Sequence, residues 1–118
     1  MGKQKKRYVG KVGYCDNVHL NINKPAGHYV YISKYNGNKC DVHTITSLED
    51  DKRKLNKKRI AHVRKGNIYP IPKYDTNLPK WSGITKHPIK NVELSKIQDI
   101  GKIKIKQRHS IMKKYFGN

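Results

Sequence analysis

The side chains best suited to chemistry stand at the ends of two short apolar runs. In GHYVYISKYNGNKCDVHTITS, Gly27 to Ser47, His28 opens the first run and Thr46 closes the second. Imidazole exchanges protons near neutral pH because its ordinary pKa lies there. A threonine hydroxyl beside it can hydrogen-bond an anionic oxygen. Arg59 and Arg64 follow in a basic stretch and suit the stabilisation of charge developing on a phosphoryl group. Metal-independent cleavage of a ribose phosphodiester needs a base for the 2′-hydroxyl proton, an acid for the leaving 5′-oxygen, and donors for the phosphorane. His28 as proton carrier and Thr46 as phosphoryl contact fit that scheme, if the two runs pair and bring their ends together. The competing reading of His28 is an ordinary surface histidine. His43 and Thr44 are adjacent, so a strand sends them to opposite faces and only one can line a site. Ser47 reads as a cap.

Lys and Arg number 27 against 8 acidic residues, a formal charge of +19. Such a field repels itself, and a polyanion that meets lysines with phosphates relieves it by releasing counterions. Tyr29, Tyr31, Tyr35, Tyr69, Tyr74 and Trp81 are set among the lysines, the pattern expected where single-stranded bases stack on rings while ammonium groups follow the backbone. Within it, Tyr29, Tyr31, Arg59, Arg64 and Trp81 are the candidate nucleic-acid contacts, with Trp81 in PKWSGITK the best exposed platform. Six histidines are scattered without helical pairing, and Cys15 and Cys40 lack Cys-x-x-Cys spacing, so neither a metal site nor a cofactor is expected. No apolar run approaches the ~20 residues of a membrane span. MGKQKKRYVG has a positive start without an apolar core, which places the protein in the cytoplasm with its two thiols reduced.

The elements that must position these residues are short. At 118 residues the chain fits one domain over 1–118, with 1–7 a flexible basic arm. YVGKVGYC reads as a short strand or ragged turn. DNVHLNINKPAG, 16–27, alternates Val18, Leu20 and Ile22 with polar residues and reads as a strand. HYVYISKY and KCDVHTITS pair about Asn36-Gly37, the strongest hairpin signal in the chain. SLEDDKRKLNKKR passes from acidic to basic, as a helix capped by Ser47 would, or forms a mobile basic loop. IAHVRKGNIYPIP reads as strand with a Gly66-Asn67 turn, and KYDTNLPKWSGITKHP as a long loop or edge strand. IKNVELSKIQDIGKIKIK alternates briefly, with Ile103 and Ile105 facing one way. QRHSIMKKYFGN places Ile111, Met112, Tyr115 and Phe116 on one face of a closing helix. The expected fold is mainly β: a small SH3-like bent barrel, an OB-like one being the near alternative, with a short basic helix or loop insertion and a C-terminal helix.

Three pieces of the chain resemble the PemK/MazF family of endoribonuclease toxins. AGHYVYISKYNGNKCDVHTITS looks like that family's entry to an apolar strand, its hairpin, and a second strand ending in Ile-Thr-Ser. IKNVELSKIQDIGKIKIKQ resembles the family's late pair of strands, and SIMKKYFGN sits where the family has its C-terminal helix. Together they cover somewhat under half the chain. His28 stands where the family has an arginine that binds phosphate, Tyr29 where it has a proline, and Thr46 matches its threonine. The resemblance implies cleavage of single-stranded RNA without a metal, by a homodimer that an acidic antitoxin peptide covers. The alternative expectation is a non-catalytic basic RNA- or DNA-binding barrel, ribosome-associated or from a mobile element, favoured by the missing arginine. A less favoured third is an inhibitor or adaptor that sets its positive surface against an acidic protein.

Overall fold

The structure, a computed structural model, describes residues 8–50, 52 and 54–106. The expected basic arm at 1–7 and closing helix at 107–118 lie outside the described residues. Strands β1 (Val12–Asp16), β2 (Gly27–Asn36), β3 (Lys39–Ser47), β4 (Ile68–Ile71), β5 (Ser82–Thr85), β6 (Ile89–Glu93) and β7 (Ile97–Ile103) form one antiparallel sheet in the order β4-β5-β3-β2-β1-β7. β6 pairs with the outer half of β3, and an α-helix, α1 (Lys57–Arg64), precedes β4. The fold is thus mainly β and barrel-like, with a sheet that does not close into a continuous ladder. Its two ends nevertheless meet. Thr76, at the end of the 3-10 turn Lys73–Asp75 that follows β4, forms an isolated bridge with Ile105, just after β7. Asn77 straddles the seam, its Nδ2 donating to Lys102 O at 2.9 Å and its Oδ1 accepting from Lys104 N at 2.9 Å.

The β2–β3 hairpin is the centre of the fold. Gly37 takes φ +67, the left-handed conformation the turn requires and glycine adopts without a Cβ clash. Apolar side chains cover both faces of the hairpin. Val30, Ile32, Cys40 and Val42 join Cys15, Leu20, Val92 and Ile97 in one cluster. Tyr31 and Ile45 join Val12, Ile71, Leu78 and Ile84 in another, on the opposite face. Burial on both sides explains why YVYI is a continuous apolar run rather than an alternating one. The register shifts between Ile32 and Lys34, so Ser33 is an extra, bulged residue.

Four sequence expectations are corrected here. Asn17–Leu20 is a 3-10 helix, not strand, and Asn21 follows it at φ 59. Leu20 is buried and Val18 is 78% exposed, so the period-2 pattern came from one inward residue and the turn after it. Ser47 ends β3 instead of capping a helix; its hydroxyl donates to Glu49 O and accepts from Glu49 N in a tight turn. The helix starts ten residues later, where Asn56 Oδ1 accepts from Arg59 N at 3.1 Å, and it includes Ile60–Arg64, expected as strand. Ile60 and Val63, three apart, keep one helical face while Lys57, Lys58, Arg59, Ala61, His62 and Arg64 fill the rest. Finally, Ser82–Thr85 is neither loop nor edge, because β5 lies between β3 and β4.

β1 and β2 approach most closely at Gly27, opposite Asp16. A Cβ there would collide with the Cys15 carbonyl oxygen and crowd Asp16 Cα, backbone atoms that cannot turn aside. Gly27→Ala is therefore expected to cost about 1–3 kcal/mol of stability, read by urea unfolding, and an unchanged midpoint would contradict this packing.

Candidate functional site

Paired antiparallel residues share a face, which decides what the hairpin gathers. Tyr29 pairs with Ile45 and Val30 with Thr44, so His28 and Thr46, the residues just past the last pair of the ladder, share the face of Val30 and Thr44. β5 continues the row, with Gly83 opposite Thr46 and Pro70 of β4 opposite Gly83. The face that is apolar at Val30, Ile32 and Val42 thus turns polar at His28, Thr44, Thr46 and Thr85. Thr85 Oγ1 donates to Thr44 O at 3.2 Å and lies 2.9 Å from Thr44 Oγ1, so these two hydroxyls satisfy each other. The Thr46 hydroxyl has no hydrogen-bond partner among the described residues.

His28 is held by a residue that the sequence reading missed. Asn17, 2% exposed, donates both amide protons, to Lys24 O at 3.2 Å and Pro25 O at 3.0 Å. Its Oδ1 is thereby aimed at His28 Nδ1, 2.6 Å away. An amide oxygen only accepts, so the hydrogen-bond network assigns the proton to Nδ1 and leaves Nε2 with its lone pair. Burial chiefly, and then the charges of Lys24 and Arg59, push the His28 pKa below its ordinary 6.5. The imidazole is neutral at pH 7, in the tautomer a proton acceptor needs. The 3-10 turn and the Lys24-Pro25-Ala26-Gly27 segment exist in this form because Asn17 ties them together, and its only sequence signal was a run of turn-forming asparagines at 17, 21 and 23.

Arg59 reaches the same end of β3. Its Nη1 donates to Ser47 O at 2.5 Å, which anchors α1 beside the residue after Thr46. Trp81 borders this end too, its carbonyl accepting from Leu48 N at 2.8 Å, while its ring is half-buried and meets the Tyr74 ring edge-on at 6.0 Å. The other candidates lie elsewhere. Arg64, five residues past Arg59, projects from another face of α1 and lines a shallow groove with Leu55, Ile60 and Ala61. Tyr29 points away from His28, on the opposite sheet face, where it packs edge-on to Tyr14 at 5.4 Å. Tyr31 is 5% exposed and belongs to the core, which removes it as a stacking platform.

His43 is a structural residue. It is 4% exposed, its Nδ1 lies 2.7 Å from Thr85 O, and its Nε2 lies 3.1 Å from the hydroxyl of the bulged Ser33. Burial lowers its pKa also. Among the described residues no cluster of three or more His, Cys, Asp or Glu has the arrangement of a metal site, and no helix is long and apolar enough to cross a membrane. No protein-family model matches the chain, and no curated protein matches it.

Two outcomes are expected. His28 should titrate below 6.5 by NMR of its ring, and Arg59→Gln, by removing a positive neighbour, should raise that value; titration at or above 6.5 in the unaltered protein would contradict the site's electrostatics. Asn17→Ala should release the Nδ1–H tautomer preference, seen in the ring nitrogen shifts. Because His28 and His43 both bind protons more weakly folded than unfolded, they contribute stability that is full above 6.5 and declines as pH falls toward their folded pKa values.

Proposed function

We propose that this protein binds single-stranded RNA and cleaves it without a metal at His28, Thr46 and Arg59. One observation carries the reading: a neutral imidazole, locked by Asn17 with Nε2 unprotonated, shares a sheet face with a threonine hydroxyl that lacks a partner among the described residues. In the reaction, His28 Nε2 takes the ribose 2′-hydroxyl proton, and the 2′-oxygen attacks the adjacent phosphorus. Thr46 donates to a non-bridging oxygen, and the Arg59 guanidinium, with donors beyond the one given to Ser47, offsets the added negative charge. The bond to the 5′-oxygen breaks, that oxygen takes a proton from a water molecule, the hydroxide so formed takes back the proton held by His28, and a 2′,3′-cyclic phosphate and a 5′-hydroxyl remain. The +19 charge holds the strand in place, and Trp81 offers a stacking surface beside the phosphate contacts. The resemblance to PemK/MazF toxins supports the same reading, and extends it to a homodimer, an acidic antitoxin peptide and a cytoplasmic setting.

A second reading, binding without cleavage, is favoured by one feature. Among the described residues the charges that lower the His28 pKa are Lys24 and Arg59, both cationic, and no carboxylate or second imidazole is hydrogen-bonded to it to serve as the acid.

With EDTA present, the unaltered protein should cut labelled single-stranded RNA, and His28→Ala and Thr46→Ala should abolish cutting while RNA affinity stays within about threefold, since most of it comes from phosphate contacts elsewhere. Normal cutting by either variant would refute the site, and a shifted but intact RNA with the unaltered protein would establish the second reading. Trp81→Ala should weaken single-strand binding about 5- to 100-fold with an unchanged salt slope.

A further inference from the structure

Where the two ends of the sheet meet, two lysines are held outward beside an exposed ring. Ile103 and Ile105 pack inward against the cluster of Val12, Tyr31, Ile71 and Ile84, so the alternate residues Lys104 and Lys106 face solvent. Each is fixed through its backbone: Asn77 Oδ1 accepts from Lys104 N at 2.9 Å, and Asp75 O accepts from Lys106 N at 2.8 Å. The Asp75 carboxylate, its side chain fully buried, holds the Lys106 ammonium at 3.6 Å while 61% of the lysine side chain stays exposed. An ammonium has three donors, so one carboxylate contact leaves Lys106 able to meet a phosphate as well. Two residues of extended chain set the lysines ~6.6 Å apart, a step that suits neighbouring phosphates of one strand. Tyr74 completes the arrangement. At 63% it is the most exposed aromatic residue among those described, and with Asn77, Lys104 and Lys106 it lines a shallow groove of ≈ 300 Å³.

We infer that this groove across the β4–β7 seam is a subsite for single-stranded RNA, in which a base stacks on Tyr74 and the adjoining phosphates meet Lys104 and Lys106. A duplex keeps its bases stacked on one another and presents no free π-face, so the subsite favours an unpaired strand. Stacking accepts every base, so the groove adds affinity without a sequence preference. Direct contacts connect it to the end of β3: the Tyr74 ring meets Trp81 edge-on at 6.0 Å, and the Trp81 carbonyl accepts from Leu48 N, two residues beyond Thr46. The seam thereby gives the strand a path away from the candidate site. The inference rests on single-stranded RNA as the partner, as proposed above, and not on cleavage.

The test measures binding of the full chain to a short labelled 2′-O-methyl oligouridylate, which no 2′-hydroxyl attack can cut, over a series of salt concentrations. Lys104→Gln with Lys106→Gln should lower the salt slope by about 1.4, two phosphate contacts at ~0.7 each. Lys90→Gln with Lys96→Gln removes the same charge from exposed positions on β6 and the 3-10 turn after it, and should leave the slope unchanged. Tyr74→Ala should weaken binding about 5- to 100-fold at an unchanged slope, and Tyr74→Phe, which keeps the ring, should bind as the unaltered protein does. A slope that holds in the groove pair or falls equally in both pairs, or full affinity in Tyr74→Ala, overturns the subsite while leaving single-stranded RNA as the partner. An unaltered protein that does not bind the strand overturns both.

Discussion

Backbone pairing of β2 with β3 is the constraint on which the rest depends. With Tyr29 opposite Ile45, every inward residue of the hairpin is assigned to one of two cores, and the polar ends, His28 and Thr46, fall on one face just past that pair. A slip of one residue would exchange the faces, burying Thr44 and Thr46 among Val12, Ile71 and Ile84 and exposing Tyr31 and Ile45. The Asn36-Gly37 turn and the burial of both faces therefore fix the site as firmly as they fix the fold. The bulge at Ser33 lies between the turn and the site, and the hydrogen bond from Ser33 to His43 helps pin the register past it.

Around that hairpin the polar groups form a graded sequence from structural to available. His43, Thr44 and Thr85 satisfy one another inside the sheet. Asn17 spends both amide protons on the Lys24–Pro25 backbone and keeps its oxygen for His28. His28 Nε2 and Thr46 Oγ1 come last, half-buried at the edge of the network, with capacity that a ligand can meet. The surrounding excess of lysine sets the sign of that ligand, since the charge that weakens the folded state by self-repulsion is relieved by a polyanion.

Much of this was legible in the sequence where a local rule acts alone. The Asn-Gly hairpin, the one-sided isoleucines of GKIKIK and the Gly66-Asn67 turn stand as expected, Gly66 at φ +79. A basic helix also occurs between β3 and β4, though later than the charge pattern placed it: Asn56 competes with Ser47 as a cap, and Ser47 is held in the ladder opposite Ser82. Tertiary context decided the rest. A pattern of Val18, Leu20 and Ile22 cannot tell a strand from a 3-10 turn with one buried leucine. Ser82–Thr85 is too short and too poor in apolar residues to announce a central strand, and Gly83 stands there because Ile68 and Leu48 occupy the space of a side chain. Asn17, the residue that orients His28, carries no motif, because its role comes from a partner 11 residues away.

The most direct test of a neutral His28 acting as base on the 2′-hydroxyl is the chemistry of the products. Single-stranded RNA incubated with the full chain in EDTA, and analysed by mass spectrometry, should give fragments ending in a 2′,3′-cyclic phosphate paired with 5′-hydroxyl fragments, and a 2′-deoxy strand should remain whole. Fragments bearing 5′-phosphates, or cleavage of the 2′-deoxy strand, would contradict the account.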